Sequence, residues 1–292
     1  MLQFNYFPNV WKSAIVVPIL KPGKSPYDPG SYRPISLLSA LSKIAESVIL
    51  KRIVEATEGK LIPFQFGFPK QLSTVQQLLR LTETVKEGMD EGWDTGAVFL
   101  DIAKAFDRVW TDGLLYRKVP DPPKLYRRAI HWRKDTKYLG ITLDSRLTYE
   151  KHINNIFKQT RSVKARLYPL LGRNSKLSLQ NKLLLYKTIL RPKMTYASPV
   201  WGAAAHSHIQ KLEATQNITA RQIINAQWFI RNRYILKDLR LPPVLSHVKD
   251  LAKKFFHGID NHTNQAIQEI PTYDPSNPGK KKRPRTLLLP GN

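Results

Sequence analysis

The stretch VFLDIAKAFDRVWTD, residues 98–112, sets an apolar run of Val98, Phe99 and Leu100 directly before a carboxylate, Asp101. An unbroken run of bulky and β-branched residues is the pattern of a buried strand, and an amphipathic stretch begins soon after it. A carboxylate held at the end of such a strand is placed to ligate a divalent cation such as magnesium. The chemistry that goes with it is metal-assisted phosphoryl transfer. That chemistry needs at least one more carboxylate. Other reactive groups are few. The chain has no cysteine, which excludes disulfides, thiolate zinc sites and cysteine nucleophiles. His206 with His208, and His257 with His262, have no thiol or nearby carboxylate to complete a metal site, and read as helix-surface side chains.

The elements that must position Asp101 follow from periodicity. PILKPGKSPYDPGSYRPIS (18–36) is punctuated by proline and glycine, as a loop or a pair of short extended arms. Leu37, Leu38, Leu41, Ile44, Ala45, Val48 and Ile49 then fall at helical spacing toward Gly59. A second helix starts at Ser73 with Gln76 as its capping-box partner, and Val75, Leu78, Leu79, Thr82, Val85 and Met89 form its stripe. This first part reads as α/β, helices on a small sheet. From Val119 the texture changes: VPDPPK interrupts the pattern, and KYLGITLD (137–144) alternates like a strand. Residues 148–171, 178–190 (Ser178 as cap, Pro192 as stop) and about 206–226 are expected to be helical. The segment from Pro271 is aperiodic and expected to be disordered. Within it KKKRPR is either a nuclear-localisation or phosphate-binding tail or a plain solvated one.

The charge narrows the partner. The 292 residues, 42% hydrophobic, allow about two domains and a packed core, with a formal net charge of +25. Lys and Arg outnumber Asp and Glu by 11 to 9 over residues 1–100, by 22 to 7 over 101–200 and by 14 to 6 over 201–292. Trp110, Tyr116, Tyr126, Trp132, Tyr138 and Tyr168 punctuate the basic middle third. Cations neutralise phosphates and aromatics stack on bases, so nucleic acid is favoured over a merely solvated basic surface. A membrane surface fits less well, because no basic amphipathic helix stands alone. The N-terminus lacks a signal-peptide layout and AIVVPIL is broken by Pro18. A soluble, non-secreted protein of the nucleus or cytoplasm is expected.

Several strings carry a resemblance. WKSAIVVPILKPGK, SYRPISLLSALSKIAESVILKRI, QFGFPKQLSTVQQLLRL and AVFLDIAKAFDRVWTDGLLYRKV are followed by KYLGITLDSRLTYEKHI, LLLYKTILRPKMTYASPVWG and KLEATQNITARQIINA. In this order, over residues 8–260, the chain resembles the reverse transcriptase of non-LTR, LINE-type retrotransposons, most closely the jockey-like group of insects and other arthropods. The resemblance implies a right-hand polymerase, here a remnant of mixed α/β (α+β) class. Residues 1–119 would be fingers and the first part of the palm, and 120–136 a proline-rich junction. Residues 137–190 would be palm edge and thumb, 191–270 a helical C-terminal region, and 271–292 a basic tail.

It also implies roles. Asp101 and the backbone carbonyl of Ile102 would hold Mg2+. Lys21, Arg33 and Phe106 would contact the incoming dNTP, and Gln65 and Gly67 the template. RNA template and DNA primer are the implied partners. Phe106 as core packing and Lys21 as an exposed turn residue are the plain alternatives. The family's second acidic motif, tyrosine-alanine-aspartate-aspartate, is missing: no Asp-Asp dipeptide occurs in the chain. Asp107, Asp112 and Asp144 are poor substitutes, because one or two displaced carboxylates cannot build two octahedral oxygen cages. No endonuclease-like constellation precedes the fingers. The expectation is an internally deleted reverse transcriptase, catalytically inactive and retaining nucleic-acid affinity. The rivals are an active enzyme whose gene prediction skipped a coding segment at Val119–Pro120, and a domesticated non-catalytic RNA- or DNA-binding protein.

Overall fold

The computed structural model describes residues 6–57, 62–100, 134–271 and 283–289. The chain divides into two compact units, Met1–Gln65 and Phe66–Asn292.

In the first unit the two proline-bearing arms pair as a hairpin. Strand β1 (Ile15–Leu20) runs antiparallel to β2 (Tyr32–Leu37), with Ile15 opposite Leu37 and Ile19 opposite Arg33. Pro18 stands opposite Pro34; neither can donate to a ladder, which a two-stranded ribbon tolerates because every strand in it is an edge. The connection is held by Asp28, whose carboxylate accepts from the Gly30 N–H at 2.9 Å and the Ser31 hydroxyl at 3.2 Å. Helix α1 (Ala40–Thr57) follows, as its spacing predicts. Among the described residues of this unit, no hydrophobic side chain is buried; only Ser31 and Ser42 are. Leu41, Ile44, Val48, Ile53 and Val54 of α1 are all exposed.

The second unit holds the core. Helix α2 (Thr74–Asp90) opens on the expected capping box, with the Ser73 N–H on Gln76 Oε1 at 2.6 Å and the Gln76 N–H on Ser73 Oγ at 3.4 Å. The segment KYLGITLD is not one strand but a hairpin, β3 (Asp135–Tyr138) against β4 (Ile141–Asp144). Leu139 and Gly140 reverse it at φ 45° and 85°, the positive pair of a type I′ turn. The Tyr196 hydroxyl donates to the Leu139 carbonyl at 3.0 Å and fixes that turn. Helices α3 (Glu150–Arg166), α4 (Leu179–Leu185), α5 (Arg191–Thr195), α6 (His206–Ile224), α7 (Asn232–Asp238) and α8 (Val244–Asp260) complete the described core. Trp201, fully buried, lies at its centre, its Nε1–H on the Tyr196 carbonyl at 2.8 Å. At the next residue, Gly202, a Cβ would meet Val248 and Leu287 side-chain carbons at 2.7 and 2.8 Å.

Three further expectations change. Pro192 does not stop its helix. A π-turn over Tyr186–Leu190 widens the backbone immediately before it, and α5 continues to Thr195; the wide turn makes room for a ring that would clash in an α-helix. Val98 and Leu100 are 64% and 73% exposed, outside any strand. An extended segment becomes a strand only beside a neighbour that takes its backbone hydrogen bonds, and neither of the two described two-stranded sheets takes this segment as a third strand. Finally, residues 283–289 of the aperiodic tail are ordered: Pro284–Leu288 form a 3-10 turn with Pro284, Thr286 and Leu287 buried against α8. Residues 272–282 lie outside the described residues.

Candidate nucleic-acid interface

The helical unit carries a charge pattern that coarse counting by hundreds does not expose. Between Glu150 and Glu213 the sequence holds 12 Lys and Arg residues and no Asp or Glu. Folding sorts them. Asp144 starts the display: its carboxylate accepts from the Thr148 N–H at 3.0 Å and the Tyr149 N–H at 2.9 Å, shaping the entry to α3. His152, Ile153, Ile156 and Thr160 then turn inward at helical spacing, which leaves Lys158, Arg161 and Arg166 exposed on the opposite side. Arg173, Lys176 and Lys187 are exposed on the segments that follow, with Tyr168 among them.

Other basic groups of the run have structural duties. Lys182 is buried and donates to the Gly172 carbonyl at 3.1 Å, Lys211 donates to Asn154 Oδ1 at 2.7 Å, and Lys151 pairs with Asp135. Lys151 is exposed too, but none of the ion pairs among the described residues involves Lys158, Arg161, Arg166, Arg173, Lys176 or Lys187. Arg161 lies over the Phe157 ring at 5.6 Å. Burial, with Arg161 beside it, holds Lys164 below the ordinary lysine range. Exposed cations with no acid in the same run suit a polyanion, which releases its own counterions on binding.

The residues expected to handle nucleotide and template fall as follows. Arg33 faces Ile19 across the hairpin, and Lys21, two residues beyond Ile19, continues the ladder through its N–H on the Ser31 carbonyl at 2.8 Å. Strand alternation sets both basic side chains on the same face, with the Lys21 ammonium donating to the Gly30 carbonyl at 2.8 Å. Gln65 is exposed, its N–H on the Ile62 carbonyl at 3.1 Å, and Gly67 sits in an exposed bend. Asp101, Ile102 and Phe106, with Asp107 and Asp112, lie outside the described residues. The remaining candidate acid, Asp144, spends its oxygens on the backbone of the α3 entry, as above. Among the described residues no group of three or more His, Asp or Glu could hold a metal ion. His262 has another duty, bridging by Nε2 to the Gln71 carbonyl at 3.2 Å and accepting the Asn264 N–H at 3.0 Å. No described helix is long and apolar enough to cross a membrane.

The reverse transcriptase (RNA-dependent DNA polymerase) profile matches residues 19–120, taking in the end of β1, all of β2, both first helices and Asp101. Residues 19–120 thus carry a reverse transcriptase domain. The chain is 30% identical to the RNA-directed DNA polymerase from mobile element jockey of Drosophila melanogaster, over 93% of the chain and 44% of that relative. It is 27% identical to a protein of the same organism named as a probable RNA-directed DNA polymerase from transposon X-element, over 99% of the chain and 46% of that relative. A Pol polyprotein from the type-1 retrotransposable element R1 of Bradysia coprophila is 35% identical over 38% of the chain. The chain thus spans under half the length of the curated relatives that it matches along most of its length.

These alignments are longer than the chain. The X-element comparison runs over 416 positions but takes in 99% of 292 residues, some 289, leaving about 127 positions opposite nothing in this chain. The jockey comparison runs over 403 positions with 93% of the chain, some 272 residues, leaving about 131.

Proposed function

We propose that this chain is an internally shortened reverse transcriptase of a non-LTR retrotransposon that retains nucleic-acid binding and has lost polymerisation. The observation that carries the reading is the total of about 130 aligned positions present in relatives and unmatched here. The sequence supports placing most of them together: the family profile ends at Pro120, the second residue of VPDPPK. On this reading residues 1–119 are fingers and early palm of a right hand. Residues 137–190 are palm edge and thumb, and the helices beyond 191 are the C-terminal extension. The exposed Val98–Leu100 segment supports a palm whose neighbouring strands are gone.

Asp101 and the Ile102 carbonyl would be the surviving ligands of Mg2+, which in this family stabilises the attacking and leaving oxygens of nucleotide addition. The described residues supply no cluster to complete such a site, so no catalytic step is assigned to this chain. Lys21 and Arg33, from one face of the fingers hairpin, suit the triphosphate of a dNTP, one as a point charge and the other as a planar fork. Phe106 would lie under its sugar, and Gln65 and Gly67 along the template.

The test is to combine the purified chain with a primed RNA template, dNTPs and Mg2+, and to measure binding in the same preparation. No primer extension is expected, together with RNA binding that weakens steeply between 50 and 200 mM salt. Extension abolished by Asp101→Ala would contradict the reading. The same unmatched positions favour a second reading, since the relatives match 99% and 93% of the chain's length: a coding segment skipped between Val119 and Pro120.

A further inference from the structure

The connection from α6 to α7 is built around one side chain. Asn225 ends α6 at φ 52°, and Arg221, one turn back, spends its guanidinium on the loop beyond. Its Nε donates to Asn232 Oδ1 at 2.7 Å, its Nη1 to the Gln227 carbonyl at 2.9 Å, and its Nη2 to the Ile230 carbonyl. Ile235 and Leu236, buried in the middle of α7, anchor the far side. A loop fixed at three acceptors has little left to lose on binding.

What it displays is unusual for a surface. Trp228 is 86% and Phe229 66% exposed, their rings edge to face at 6.0 Å. Arg231 and Arg233 flank them, both exposed, and Arg233 lies over the Tyr234 ring at 4.7 Å. From residue 214 to 237 the charged side chains are Arg221, Arg231, Arg233 and Lys237, with no acid. Large aromatic faces set among cations match unpaired bases with their phosphates.

We infer that this loop is a stacking platform for single-stranded RNA, with Trp228 and Phe229 taking base faces and Arg231 and Arg233 the neighbouring phosphates. The inference rests on the nucleic-acid-binding reading above. It names RNA because the relatives matched along most of the chain are RNA-directed polymerases.

The test uses the full chain and its Trp228→Ala/Phe229→Ala double variant. Fluorescence anisotropy would follow binding of a labelled 20-nucleotide single-stranded RNA, the same sequence as DNA, and the RNA duplex. Circular dichroism should superpose for the two proteins, since both side chains are exposed. The double variant is expected to lose about tenfold or more in affinity for single-stranded RNA and to bind the duplex within twofold of the parent. Single-stranded RNA binding within twofold of the parent would overturn the platform while leaving the broader reading intact. So would a loss confined to single-stranded DNA, or a change seen only in self-association by sedimentation. A parent chain that binds no RNA at all would overturn both.

Discussion

His152 shows how one residue ties the core to pH. Its Nδ1 accepts the Thr142 N–H at 3.3 Å, its ring meets Trp201 edge to face at 6.0 Å, and its Nε2 is buried without a hydrogen-bond partner. Burial, with Lys137 nearby, pushes its pKa down to about 4. The folded-state value lies below the unfolded one. Above pH 6.5 both states are neutral and nothing is lost; as pH falls from 6.5 toward 4 the unfolded chain takes up the proton first and stability declines. Urea unfolding should show the folded state weaker by about 2 kcal/mol at pH 5 than at pH 7. His152→Gln should flatten that slope, and an unchanged slope would show that the ring is not held neutral. This role was not legible in the sequence, where His152 lies at no metal-like spacing. The face it occupies becomes visible only once Ile153, Ile156 and Thr160 are seen to turn inward with it.

Among the elements, the C-terminal turn acts as a strap. Arg283 bridges Glu83 at 3.4 Å and Asp90 at 3.1 Å, both on α2, while Leu287 packs beside Gly202. Burial pushes the Glu83 carboxyl up, opposed by Lys86 and Arg283, and burial pushes Lys86 down to about 8. Arg283→Ala removes the cation that reaches both acids and should cost about 3 kcal/mol, the range for breaking a buried pair. Thermal melts would read this, and Arg283→Met combined with Glu83→Leu should recover most of it. An unchanged melt for the single variant would mean that the strap carries no stability. From the sequence, α1 and the capping box of α2 were legible because each is a local pattern. The strap was not, because its partners lie about 200 residues apart in the chain. The turn in KYLGITLD was hidden for another reason: Leu139 supplies one of two positive-φ positions that glycine or asparagine commonly fills. Pro192 misled because a π-turn leaves no mark in hydrophobic spacing.

Over the whole molecule, the two units differ in what they bury. The second has a continuous hydrophobic core, whereas the described part of the first buries no hydrophobic side chain. A hairpin and helix whose described apolar side chains stay exposed suit a packing partner, and on the proposed reading the roughly 130 aligned positions unmatched here would include it. The family was legible in the order of the sequence strings. The acid-free run from 151 to 212 was equally readable, though its sorting into exposed and structural cations required the fold. The central claim is that the polymerase segment is truly absent, and sequencing full-length transcripts with the matching genomic DNA across the codons for Lys118 to Lys137 tests it most directly. Both molecules should read straight through VPDPPK; an in-frame segment of about 130 codons carrying paired aspartates would contradict the account.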